Sequence, residues 1–242
     1  MKVSAIISAY FCEEWLEGRI ENLKDQTLRP QIVTVCEFES PEYKIADRLW
    51  EGEDVVIQTP YGSEAPTIYA AWNMGIEAAQ GEYVTNANAD DRLARWGIEK
   101  LAHQLDVRPE ISVVYADVDK CTDLSGGFDH AWRSGYFKWW EGENQYETLL
   151  SGLCFLGPMP MWRKSLHDKH GYFDDKMKSA GDYEFWLRLA KGGEKFYHLR
   201  EAQGIYLDRG DSAEHRDLGV GARESDEARR RYNVDAPAGP YG

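Results

Sequence analysis

Two adjacent carboxylates, Asp90 and Asp91, close the segment GEYVTNANADDRL, residues 81–93, with Asn88 beside them. Hard oxygen donors at the end of a short apolar strand suit Mg²⁺ or Mn²⁺. Such an ion keeps some water and completes its shell from one or two carboxylates and the phosphates of a substrate. The plainer reading is a solvated turn, because Asn and Asp satisfy nearby backbone groups on their own. A third carboxylate, Asp182, stands just before the apolar-periodic run Tyr183–Lys191. It fits either a helix cap or a proton acceptor at the floor of a pocket. His167 and His170 are three apart, but their Lys-rich polar surroundings read as a solvated helix face. Trp139 and Trp140 fit a sugar-stacking platform or core packing equally well.

The elements that must position these groups alternate. Val3–Ser8 and Ile32–Cys36 are short apolar strands on either side of a helix with Leu16, Ile20 and Leu23 on one face. Val55–Gln58 reads as a third strand, nearer an edge. Ile68, Ala71, Trp72, Ile76 and Ala79 mark a helix that stops before Gly81, and Tyr83–Asn86 is the next strand. Ile98, Leu101, Ala102 and Leu105 give another helix, which ends near Pro109, and Ile111–Ala116 a further strand. Residues 120–140 lose both periods and read as a long loop or small hairpin. Phe196–Leu199 and Gly204–Leu207 are late strands. Alternation of this kind implies an α/β chain with a mostly parallel, layered sheet.

Composition narrows the partners. The chain has 242 residues, with 28 Lys and Arg against 42 Asp and Glu, a formal charge of −14. That charge repels polyanions at long range, so tight nucleic-acid binding is not expected. The apolar run at the amino terminus is too short to span a membrane and has no small-residue cleavage site after it. Cys12, Cys36, Cys121 and Cys154 are widely separated and show no CxxC spacing, so reduced thiols in a cytoplasmic protein are expected.

Four segments in order resemble family 2 glycosyltransferases. They are VSAIISAYFCEEWLEGRIENLKDQTLRPQIVTV (3–35), with Gln26 and Thr27 in place; YAAWNMGIEAAQGEYVTNANADDRL (69–93); GYFDDKMKSAGDYEFWLRLA (171–190); and YLDRGDSAEHR (206–216). The resemblance implies a GT-A fold, a Rossmann-like sheet extended by an acceptor-binding half. One domain is expected over residues 1–232, with a nucleotide-sugar half at 1–118, an acceptor half at 119–232 and a flexible tail at 233–242.

The same resemblance implies roles. Asp90 is the first choice of metal ligand, Asp91 coordinates through water or fixes the turn, and Asn88 takes the first place of an Asp-x-Asp turn as a neutral donor. His215 completes the cation site in the family pattern; pairing with Asp211 or Glu214 is the plainer reading. Arg216 is a candidate to neutralise the diphosphate. Ala9, Tyr10 and Asn73 fall where the family lines the donor pocket. CEFESPE, residues 36–42, departs from the family's acidic pair for base and ribose, and leaves Glu37 or Glu39 as the acceptor there. Gly181 replaces an acidic residue usual before Asp182. Asp182 is the expected catalytic base, and the resemblance implies inversion.

A bound cation would neutralise a departing nucleotide diphosphate as a Lewis acid. The expected activity is a metal-dependent, inverting transfer from a nucleotide-sugar, UDP first, to a glycan or other hydroxyl acceptor. The alternatives are a carbohydrate or nucleotide-sugar binding module without turnover, which Asn88 and Gly181 would permit, and a transferase acting on modified bases in DNA. A nucleotidyltransferase would need a Gly-rich basic loop after the first strand, which SAYFCEEW lacks.

Overall fold

The computed structural model describes residues 2–137, 144–209 and 218–233. The first half winds as expected: β1 (Val3–Ala9), α1 (Glu13–Lys24), β2 (Gln31–Glu37), α2 (Pro41–Arg48), β3 (Val55–Thr59), α3 (Ile68–Ala78) and β4 (Tyr83–Asn86). Next come β5 (Asp91–Leu93), α4 (Gly97–Val107), β6 (Val113–Cys121), α5 (Gly127–His130), β7 (Arg133–Phe137), α6 (Gln145–Leu150) and β8 (Met161–Arg163). The described chain closes with α7 (Leu166–His170), α8 (Gly181–Lys191), β9 (Phe196–Leu207) and α9 (Leu218–Tyr232).

All strands join one sheet in the order β3-β2-β1-β4-β8-β6-β9-β5, with β7 on β6. The β3-β2-β1-β4 part is parallel, β8 enters antiparallel between β4 and β6, and β6 and β9 are parallel. β3 is an edge strand, as its short apolar run implies.

Side chains of β1 alternate across the sheet, as strand geometry requires. Val3, Ala5, Ile7 and Ala9 pack with Leu16, Ile20 and Leu23 of α1 and Ile98 and Leu101 of α4. Ile6 faces the other layer, where Trp72 and Ile76 of α3 meet Phe185 and Trp186 of α8. Gly75 admits this closeness, since a Cβ there would sit 2.4 Å from Ile6 Cγ2. Trp162 and Arg163 pack rather than face a ligand. Trp162 is buried and donates its indole N–H to His167 Nε2 at 2.9 Å, and Arg163 Nε donates to the Ile111 carbonyl at 2.9 Å.

The unperiodic stretch 120–140 is largely a hairpin, in which β7 pairs antiparallel with the end of β6 across α5. The two late strands are one, β9, whose pairing with β6 shifts register near Ala116 and Asp117. Trp139 and Trp140 lie outside the described residues, as do residues 234–242 of the tail. Among the described residues no helix is long and apolar enough to cross a membrane.

Candidate functional site

At the carboxyl edge of β1 and β4 the chain leaves the sheet, and a cavity of about 780 Å³ opens there. Ligands of open α/β sheets bind in this position. β1 contributes Ser8 and, just past its end, Tyr10; β4 leads through Asn86 and Asn88 to Asp90; α3 contributes Tyr69 and Trp72. From the second half α8 brings Asp182, and α9 brings Gly221, Ala222 and Ser225. Asp90 and Asp182 therefore line the same cavity.

The turn under Asp90 is held from below. Arg92 donates to the Ala89 carbonyl at 2.8 Å and to the Asp91 carbonyl at 2.7 Å, and the fully buried Arg19 reaches the Asp91 carbonyl at 3.2 Å. Two guanidinium groups thus satisfy carbonyls that the tight turn cannot pair within a strand. Asn88 lines the cavity and donates through Nδ2 to Asp91 Oδ2 at 3.2 Å. Asp91 itself is fully buried and off the cavity wall. Burial, with the Asp90 charge adjoining, pushes its carboxyl up to about 7, while Arg19 pulls it back. The coordinating role expected for Asp91 is corrected accordingly: its carboxyl is fully buried and accepts from Asn88, which ties the turn together from inside.

Asp90 is partly exposed and meets a cation already. Arg209 Nη2 lies 3.0 Å from Asp90 Oδ2, and the guanidinium sits 4.0 Å from the centroid of the Trp15 ring. Arg209 follows β9 and lines the cavity. Sequence reading placed a phosphate-facing cation at Arg216 instead; nothing local marks Arg209, which reaches Asp90 only because β5 pairs with β9. Arg216 and His215 lie outside the described residues.

The donor set has the chemistry of a hard-cation site: a carboxylate on the wall, an amide beside it and room for phosphate oxygens. Among the described residues no three His, Cys, Asp or Glu side chains gather into a cage. Asp90 and Asn88 bring side-chain oxygens to the wall at this turn, and hard oxygen donors of this kind suit Mg²⁺ or Mn²⁺.

On the facing wall, α8 begins at Gly181, so Asp182 lies in its first turn and not at the cap as the plainer reading had it. Tyr69 fixes the side chain. Its hydroxyl lies 3.0 Å from Asp182 Oδ1 and 2.8 Å from the Ser179 carbonyl, and so donates to one or the other. Burial and the Asp182 charge keep that phenol protonated, well above its ordinary pKa. The missing acidic neighbour of Asp182 has a steric reason. A Cβ on Gly181 would meet the Tyr69 ring at 2.7 Å.

The remaining candidates divide. Tyr10 lines the cavity, its hydroxyl 3.3 Å from Thr59 Oγ1; burial raises its phenol, and the Glu37 charge adds to this. Ala9 is buried in β1 behind it. Glu37 and Glu39 are exposed and off the wall; Glu39 takes the positive φ of 53° and its N–H donates to Gln58 Oε1 at 3.0 Å.

Asn73 is a correction. Its amide pairs with both backbone groups of Phe173, at 2.9 and 3.0 Å, so it joins α3 to the segment before α8 and does not line the donor pocket. His170 is engaged by Glu194 at 2.8 Å. One aromatic at the cavity was not read from sequence: Phe11 lines it at φ 56° and 79% exposed.

Residues 4–171 match the sequence model of the family described as glycosyl transferase family 2. The uncharacterized glycosyltransferase YwdF of Bacillus subtilis (strain 168) is 26% identical over 193 residues, covering 79% of this chain and 69% of YwdF. The hyaluronan synthase of Pasteurella multocida is 23% identical over 222 residues, 90% of this chain but 22% of the synthase.

S. aureus TarS 1-349 in complex with UDP-GlcNAc superposes with a TM-score of 0.74 at 17% identity, over 98% of this chain and 68% of that one. The mannosyltransferase PcManGT from Pyrobaculum calidifontis, in complex with GDP-Man and Mn²⁺, gives 0.67 at 16% identity, over 99% and 66%. The chain thus spans about two thirds of these two structures and about a fifth of the hyaluronan synthase. Its fold is that of GT-A structures.

Proposed function

The chain belongs to glycosyl transferase family 2, and from that membership we propose that it is a metal-assisted, inverting transferase moving a sugar from a UDP-sugar to a hydroxyl of a glycan or other acceptor. One observation carries the reading: Asp90 and Asp182, from opposite halves of the chain, face a single cavity at the carboxyl edge of the sheet. The complexes of TarS with UDP-GlcNAc and of PcManGT with GDP-Man and Mn²⁺ support a nucleotide-sugar and a divalent ion.

The residues divide the work. Tyr10 and Phe11 line the cavity where they would meet the nucleoside, and Asp90 with Asn88 would hold the cation. When bound, that ion supplies Lewis-acid neutralisation of the diphosphate leaving group. Arg209, now on Asp90, is a second positive group able to turn to a phosphate oxygen. Across the cavity Asp182 accepts the proton of the acceptor hydroxyl as its oxygen bonds to the anomeric carbon. The bond from that carbon to the diphosphate breaks on the opposite face, so configuration inverts. Tyr69 holds the carboxylate in the geometry that general-base catalysis needs.

The test is release of nucleotide from UDP-sugars and GDP-sugars, with and without Mn²⁺, in the parent and in Asp90→Asn. The expected result is Mn²⁺-stimulated UDP release that the variant loses. Binding of nucleotide-sugar without any release, in the presence of acceptor glycans, would instead mark a binding module.

A further inference from the structure

Helix α8 carries Asp182, yet the residue at its cap position, Ala180, has no side chain to satisfy the first amides. What is held from outside is the segment that leads into the helix, residues 178–180. Glu224 of α9 accepts three consecutive backbone N–H groups: Oε1 from Lys178 at 2.8 Å, and Oε2 from Ser179 at 2.8 Å and Ala180 at 2.9 Å. α9 lies close enough that a Cβ on Gly221 would be 3.0 Å from Ser179 Oγ. It is tied again where Arg231 meets Asp174 at 2.7 Å. Three successive amides make a concave, positively polarised cradle that favours a carboxylate. Both the cradle and α9 lie beyond residues 4–171, the stretch that the family model matches.

We infer that Glu224 is a positioning residue for Asp182: by holding residues 178–180 it sets where α8 begins, and with it the carboxylate two residues on. Tyr69 contacts the Asp182 side chain from one side, and Glu224 holds the backbone of residues 178–180 that leads to it from the other. Without Glu224 the three amides turn to water and the first turn of α8 loosens. Displacement of a catalytic group by about 1 Å costs on the order of 10²-fold in rate. The Asp90 side of the cavity shares none of these bonds, so nucleotide affinity stays as it is.

This inference rests on Asp182 as the base, and the experiment separates the two. In Glu224→Ala and Glu224→Gln, kcat, the UDP dissociation constant and amide hydrogen exchange are measured. The expected result is a kcat about 10- to 100-fold lower, a UDP affinity within about twofold of the parent, and faster exchange confined to residues 178–183. Glu224→Gln keeps one oxygen acceptor and the packing of α9, and so carries the test if the alanine variant fails to fold. Unchanged exchange, unchanged kcat despite faster exchange, or a loss carried by UDP affinity would each overturn the inference. Asp182→Asn is assayed alongside. If it keeps more than about a tenth of the parent kcat, where loss of a general base predicts far less, the base assignment fails while the exchange result still reports on the clamp.

Discussion

At Gly181 a methyl group has nowhere to go, because the ring it would strike also contacts Asp182, the proposed base. Tyr69 cannot retreat easily: it packs edge to face on Trp72 at 5.4 Å and stacks on Phe173 at 6.0 Å. Gly181→Ala is therefore expected to destabilise the fold by about 1–3 kcal/mol, the usual result of overpacking, with a lower denaturant midpoint at unchanged slope. It should also cut turnover, since Tyr69 must leave Asp182. Asp182→Asn separates the two effects. The amide keeps the shape and a bond to Tyr69 but accepts no proton, so kcat should fall by about 10²–10⁴-fold with little change in the urea midpoint. The position of Asp182 was legible as a carboxylate opening a helix. The reason for Gly181 was not, because Tyr69 is more than a hundred residues away.

Among the elements, α7 and α8 pack through a buried histidine whose state makes the fold pH-sensitive. His167 stacks on Phe185 at 5.0 Å, accepts from Trp162 through Nε2, and faces the Gly171 carbonyl with Nδ1 at 3.2 Å. Both contacts fit a neutral ring with its proton on Nδ1, and burial lowers its pKa to about 4. The unfolded chain protonates near 6.5, so between pH 6.5 and 4 the unfolded state binds the extra proton. Stability is then lost as pH falls through that window, by about 2 kcal/mol between pH 7 and pH 5. Thermal unfolding at the two pH values measures this, and His167→Gln should flatten the difference. The pair His167 and His170 looked like a solvated face; the aromatic pocket around His167 appears only when α8 packs back.

Other elements hid for comparable reasons. β8 is three residues long and preceded by Pro158 and Pro160, so no period can build. β9 changes hydropathy at Glu201, while its backbone runs on through a register shift. α9 is polar, with Ala228 its one fully buried side chain among the described residues. Strands β1 to β4, whose runs are apolar on both faces, were readable because both layers cover them.

For the molecule as a whole, one sheet receives strands from both ends of the chain, and the cavity joins α3 and β4 to α8 and α9. A ligand bound there bridges both layers and is linked to global unfolding. By mass action, UDP with Mn²⁺ at a hundred times its dissociation constant adds about 2.7 kcal/mol of stability. For a domain of this length that corresponds to a rise in melting temperature of about 5–10 °C. The three versions of the protein should then separate. The parent should gain more from UDP with Mn²⁺ than from UDP alone; if Asp90 anchors the cation as proposed, Asp90→Asn loses that increment. Asp182→Asn keeps the full increment, because the base does not hold the donor. Differential scanning fluorimetry with and without EDTA reads all of these at once. A shift in Asp90→Asn equal to the parent's would place the cation elsewhere, and would leave Arg209 as the only charge on Asp90 that the described cavity displays.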